Sequence, residues 1–222
     1  MDLNLSVFQE PRGVMRLLQF IFTISAFAAI SGYSGSVNFN CESQALNASF
    51  TFNFDYPFKL FLNEHPLNSN SSSPCKPIVT INGDFSSDAQ FFVTTGVLAM
   101  LYTIAIIIVY IKLDNLYKTN SQVPLMDFVL TVVFAVLWLS SSAAWANGLS
   151  GLKHVTSDEA IEWKGDGPNC PKCPTYTTSF STLNISVVLG FLNFFLWGSD
   201  LWFVYKETAW FQGNQGLSTS GV

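Results

Sequence analysis

Charge is scarce in this sequence. Only 11% of the 222 residues are Asp, Glu, Lys or Arg, against about 25% in an ordinary soluble domain, too few to coat a globule with solvated surface. Histidine is nearly absent: His65 and His154 are the only two, and neither stands at ligand spacing from a cysteine pair. A zinc site therefore has no donor set, and a nucleophile–histidine arrangement has no support. There is no H-E-x-x-H and no glycine-rich phosphate loop, and no pair of carboxylates is expected deep in facing spans. The net charge of −5 comes without a basic patch, which argues against a nucleic-acid partner. Together these gaps speak against a hydrolase or a kinase, and no metal, cofactor or enzymatic activity is expected.

Long apolar runs are abundant. Residues 14–33, 91–111, 124–148 and 183–205 each reach the roughly 20 residues that cross a hydrocarbon core. The expected fold class is an all-α membrane protein: an antiparallel four-helix transmembrane bundle over residues 14–206, with a short N-terminal segment 1–13 and a tail 207–222. Arg12 and Arg16 before the first run also fit a cleaved signal peptide, which would leave three spans. That run is longer than a typical signal core and lacks an A-x-A-like site, so it is expected to remain. An even number of spans puts both termini and the connection 112–123 on one side, and loops 34–90 and 149–182 on the other. Lys and Arg are denser on the terminal side, which predicts a cytosolic location for it. Cys41, Cys75, Cys170 and Cys173 lie in the long loops, as do the N-x-S/T acceptors Asn47 and Asn70; both features fit an oxidising lumen or exterior. Asn184-Ile-Ser also matches the acceptor pattern, but it opens the fourth span and is expected to stay unmodified.

In the first long loop Phe50, Phe52, Phe54, Tyr56 and Phe58 alternate with Thr51, Asn53, Asp55 and Pro57. This period of two predicts a strand over 50–58 with one aromatic face. Residues 78–81, ended by Asn82-Gly83, read as a second strand. Cys41 and Cys75 bracket the aromatic strand, and a crosslink closing a loop of that length would stabilise it by about 3 to 4 kcal/mol on the chain-entropy model. The loop reads as a small stapled luminal subdomain; the alternative is an aromatic surface that meets a partner or a neighbouring protomer. In the second loop Cys170-Pro-Lys-Cys173 has the spacing of a redox C-x-x-C. Prolines at 168, 171 and 174 argue for an extended turn rather than the helix N-terminus that activates such thiols, so a structural disulfide is a simpler reading than a luminal thiol oxidoreductase.

Within the spans, Ser140, Ala144 and Gly148 recur at intervals of four, and Ala28 and Gly32 do the same in the first span. Small residues on one face read as helix-packing seams; a pore lining would need more polar groups through the depth of several spans. Asp127, three residues after Pro124, is placed in the first turn of span three, where the helix dipole favours an anion. Arg16 and Lys206 mark the cytosolic ends of spans one and four and are expected to snorkel. Asp200 lies six residues inside Lys206, roughly 9 Å deep at about 1.5 Å per residue. Its neighbours at three and four residues are Leu196, Trp197, Phe203 and Val204, so its own helix offers no partner. It is expected either to face the bundle interior within reach of Arg16 or to be a protonated, hydrogen-bonded acid.

Blocks in order along the chain carry a resemblance: "EPRGVMRLLQF" running into "FAAISGYSG", then "YPFKL", "GDFSSDAQFFVT", "PLMDFV", "LWLSSSAAWANGL", "LNISVVLGFLNFFLW" and "LWFVYKET". From residue 10 to residue 208 the chain resembles the synaptophysin family of four-span vesicle proteins, whose membrane part is of the MARVEL type. The resemblance implies a MARVEL-like bundle with a disulfide in each luminal loop, N-glycosylation in the first loop with Asn47 in the matching place, and cytosolic termini on a synaptic or other transport vesicle. It further implies a non-enzymatic organiser that forms homo-oligomers, contacts membrane lipid and cholesterol, binds a vesicle SNARE of the synaptobrevin type, and associates with the vacuolar proton pump. The chain departs from the family in four places. It ends in "GNQGLSTSGV" instead of a long Gly, Pro, Tyr and Gln tail, so tail-dependent functions do not carry over. It has "WANGL" for "WAKGL", its second-loop cysteines are closer together, and Asp200 stands where relatives mostly carry asparagine. An oligomeric channel or junction-like four-span protein is the competing class. The first loop has no Trp, however, the larger loop no Cys-Cys-Gly, and neither loop three cysteines, as claudins, tetraspanins and connexins respectively require.

Overall fold

The computed structural model describes residues 10–43, 46–64, 76–113, 117, 122–166 and 173–208. The apolar runs form four helices, α1 (Pro11–Ser31), α2 (Ser86–Lys112), α3 (Gln122–Val155) and α4 (Ser181–Glu207), each long and apolar enough to cross a membrane. Local chemistry sets their starts. Proline suits the first position of α1, where its missing N–H costs no bond. Before α2, Asp84 Oδ1 accepts from the Ser86 hydroxyl at 2.6 Å and from the Ser86 N–H at 2.9 Å. These bonds, the hydroxyl's foremost, hold the Asp84 carboxyl below its ordinary value. The third helix runs 34 residues, seven beyond the span predicted to end at 148. Trp145, Leu149 and Leu152 continue its buried face at helical spacing, so an amphipathic pattern extends the helix after the continuous apolar run stops.

The chain divides into two compact units, one of Met1–Ala28, Phe92–Ala143 and Ser186–Val222, the other of Ala29–Phe91 and Ala144–Ile185. The first is a helical bundle. A close helix approach in it is at Gly190 of α4, where a Cβ would collide with Ser142 Oγ and the Phe92 ring; Gly96 of α2 similarly faces the Phe27 side chain, 3.0 Å from where a Cβ would sit. This corrects the predicted seams. Ser140 and Ala28 are exposed, and the Ser140 hydroxyl turns back to the Val136 carbonyl. The packed face of α3 lies one and two residues on, at the fully buried Ser141 and Ser142, because Trp138 and Trp145 fix which side of the helix faces inward.

The second unit contains two three-stranded antiparallel sheets. One has the order β2-β1-β6, from β1 (Ser34–Ser43), β2 (Leu46–Asp55) and β6 (Thr175–Thr177); the other has the order β3-β4-β5, from β3 (Lys59–Glu64), β4 (Lys76–Asp84) and β5 (Glu162–Asp166). Each sheet takes two strands from the first long loop and one from the second. The predicted alternation is present: Phe50, Phe52 and Phe54 are covered while Thr51, Asn53 and Asp55 are exposed. The strand ends at Asp55, short of the predicted 58. Tyr56-Pro57 is a cis bond, Phe58 takes φ 66°, and proline has no N–H to continue a ladder. Phe58 is fully buried, stacking on Trp145 at 5.4 Å and meeting Tyr33 at 6.2 Å. The aromatic face therefore forms core and is not an open partner surface. Asn82-Gly83 is no turn either, since Gly83 pairs with Leu60 inside β4. Glycine is needed there because a Cβ would stand 2.8 Å from the Phe85 ring.

Among the other predicted small residues of this unit, Gly32 lies in an exposed turn after α1 and Ala144 is half-buried. Gly148 alone makes a close approach, since a Cβ there would stand 2.9 Å from Asp88 Oδ2. Cys173 is buried and disulfide-bonded. Cys75, Cys170 and Asn70 lie outside the described residues, while Cys41 and Asn47 are placed by backbone alone, paired with Ala48 and Glu42 in the β1–β2 ladder.

Gly190→Val is expected to lower stability by about 1 to 3 kcal/mol through overpacking. Gly198→Ala, with nothing within 4 Å, should be neutral or gain up to about 1 kcal/mol of helix propensity. Thermal unfolding of the two variants in detergent checks both.

Candidate functional site

Arg12, Arg16, Gln19 and Thr23 recur along α1 at spacings of four, three and four and so share one helical face. That face is buried: Arg12 is 5% exposed and the other three 0%. The centre of the site is Arg16. Its Nη2 donates to Asp127 Oδ1 at 2.6 Å and to Thr131 Oγ1 at 2.7 Å, both on α3. Its Nη1 donates to Gln19 Oε1 at 2.9 Å and lies 2.9 Å from Asp200 Oδ2 on α4. The guanidinium also sits 5.6 Å from the Tyr102 ring centroid and 5.3 Å from that of Trp197, within cation–π range of both.

Each acceptor is itself held. Asp127 Oδ1 takes the Tyr102 hydroxyl at 2.5 Å, and its Oδ2 takes the hydroxyls of Tyr110 and Tyr117. Thr131 donates to the Asp127 carbonyl at 2.7 Å, which leaves its oxygen free to accept from Arg16. Gln19 Nε2 donates to Asp200 Oδ2 at 3.1 Å. Further along, Thr23 donates to Asn193 Oδ1 at 3.2 Å. All four helices contribute, and their charges and donors answer one another. Such an arrangement ties the helices to one another. Among the described residues no group of three His, Cys, Asp or Glu could hold a metal ion.

Three sequence expectations change here. Arg16 does not snorkel, because its whole side chain is enclosed. Asp127 is not a first-turn dipole partner: α3 begins at Gln122, two residues before Pro124, which puts Asp127 in the second turn and inside the bundle. Paired carboxylates in facing helices do exist, since Asp127 and Asp200 both flank Arg16. Lys206 is exposed with its ammonium over the Trp202 ring at 5.1 Å.

The sequence reading placed Asp200 near Arg16 but missed Gln19, Thr131, Trp197 and the three tyrosines. A signal for Gln19 was present in the four-three-four polar spacing of α1. None existed for the tyrosines, whose spacing does not show where their hydroxyls point. At the other end of α4, Asn184 lies within the helix, and its Oδ1 accepts from Lys153 Nζ at 2.6 Å.

Four long apolar helices, three of them joined through a buried arginine between two aspartates, define a multi-pass integral membrane protein with a buried polar cluster. The family model of the MARVEL membrane-associating domain matches residues 8–203. The chain belongs to that family.

Arg16→Met would leave two buried carboxylates without their cation, and Asp127→Ala would strip the cation of its closest anion. Each is expected to cost about 3 to 5 kcal/mol. Arg16→Lys should also lose stability, because an ammonium cannot reproduce the planar fork that reaches both anions. Lys206→Ala should stay within about 0.5 kcal/mol. Unfolding of the four variants in lipid nanodiscs gives the comparison.

Proposed function

We propose that this chain is a non-enzymatic organiser of synaptic-type or secretory transport vesicle membranes, of the synaptophysin kind within its family. It acts by homo-oligomerisation, contact with cholesterol and other lipid, and binding of a synaptobrevin-like vesicle SNARE during vesicle formation, exocytosis and retrieval; association with the vacuolar proton pump belongs to the same reading. The observation that supports it most is how polarity is distributed. The buried charges and amides of the bundle bond to one another, while Leu17, Ile21, Leu101, Val136 and Phe195 are exposed on the helix surfaces. A protein so built has its working surface in the plane of the membrane, where lipid and other helices are the available partners.

In this reading both termini are cytosolic, each luminal loop carries a disulfide (Cys41 with Cys75, and Cys170 with Cys173), and Asn47 and Asn70 carry glycans. Cys173 is 1% exposed and leads into a strand, an environment unlike that of a reactive thiol, which supports a structural role over an oxidoreductase. The buried polar file of Arg16, Gln19, Thr23 and Asn193 gives some weight to a channel, but its members are bonded across the bundle and line no described opening.

Immuno-isolating the organelle that carries the protein is expected to recover transport vesicles, with a vesicle SNARE co-purifying in mild detergent. Absence of the SNARE across several detergents, or ion flux through the purified protein in liposomes, would overturn the organiser reading. Mass spectrometry of the same material should find glycan at Asn47 and Asn70 and none at Asn184, whose helical backbone and lysine contact keep it from a glycosylating enzyme.

A further inference from the structure

Asp127 and Asp200 share one guanidinium, and they are served unequally. Asp127 has both oxygens engaged, by Arg16 and Tyr102 on Oδ1 and by Tyr110 and Tyr117 on Oδ2. At Asp200 both donors, Arg16 Nη1 at 2.9 Å and Gln19 Nε2 at 3.1 Å, converge on Oδ2. Its Oδ1 is buried with no hydrogen-bond partner, and the side chain is 0% exposed.

Among the described residues no other cation balances the second anion: the charged groups that act on Asp200 there are Arg16 of α1 and Asp127 of α3. Arg12, the next cation along α1, is ion-paired with Glu10 at 2.7 Å. From α2, Tyr102 and Tyr110 direct their hydroxyls to Asp127. On α4 itself, Lys206 is exposed over Trp202. With every group ionised, one positive and two negative charges meet, leaving a net of −1 enclosed among apolar helices. An unbalanced carboxylate in such surroundings is among the most costly groups a bundle can hold.

We propose that Asp200 is a proton-binding site. The cluster takes up one proton from water, and the proton forms an O–H bond at Asp200 Oδ1, leaving a neutral carboxylic acid beside the Arg16–Asp127 ion pair. The hydrogen bonds fit this form: in a carboxylic acid the carbonyl oxygen accepts, and both donors point to Oδ2. The oxygen without a donor is the one that carries the hydrogen. A neutral hydroxyl left unbonded costs far less than an uncompensated anion. Release of the proton places a second anion against Arg16, the group common to α1, α3 and α4, so the bundle has a built-in response to proton concentration.

The test is infrared spectroscopy of the full chain in lipid nanodiscs, with aspartate labelled by ¹³C. At neutral pH the wild type is expected to show the carbonyl stretch of a protonated carboxylic acid, shifted by the label and bleached reversibly as the pH is raised. D200N should lack this band and melt at the wild-type temperature at neutral pH, because an amide is the neutral isostere of the acid. A wild type without the band at neutral pH would overturn the proposal. So would a labelled band that persists in D200N, or a D200N chain that fails to fold.

Discussion

A guanidinium buried among apolar helices has five N–H donors and no water to receive them. Arg16 meets this constraint through its two Nη groups, which take acceptors from three helices, its own Gln19, Asp127 and Thr131 of α3, and Asp200 of α4; its buried Nε has no hydrogen-bond partner, and α2 adds the ring of Tyr102. The rotation of each helix about its axis follows. Lipid tails are as apolar as leucine, so no hydrophobic force selects which helix faces meet. The ion pairs make that selection, and close approach at Gly190 against Ser142 and Phe92 then completes the packing.

The second unit is specified differently. Its interior is aromatic, with Phe54, Phe58 and Phe180 around Tyr33 and Phe58 stacked on Trp145, and its register comes from sheets that borrow a strand from each long loop. In β1 and β2 the covered residues are apolar, which makes register strict, since a one-residue slip would turn the aromatic face to water. Such a unit closes the two loops on each other.

Much of this was legible in the sequence. Apolar length marked the four helices, and period-two alternation marked the aromatic strand. Asp200 stood out as a charge inside an apolar run, and Arg16 was the cation in reach from the same end. Other parts were illegible for definite reasons. Asp127 looked interfacial because Pro124 marked a helix start that actually falls two residues earlier. Ser140 and Ala28 fitted a small-residue pattern, but spacing alone does not say which face of a helix is turned inward. The strands β5 and β6 are five and three residues long, too short to show a period, and they exist only because β4 and β1 offer them a ladder.

By itself the sequence determined how many helices there are, roughly where they begin and end, and that few charges were available to be buried, because length, hydropathy and period are local properties of a chain. Only the tertiary structure decided that Arg16 lies between two aspartates more than a hundred residues away, that three tyrosine hydroxyls converge on one of them, and that the other keeps an oxygen without a partner. Those are matters of helix rotation, which depends on all four helices at once and is written in no single one of them.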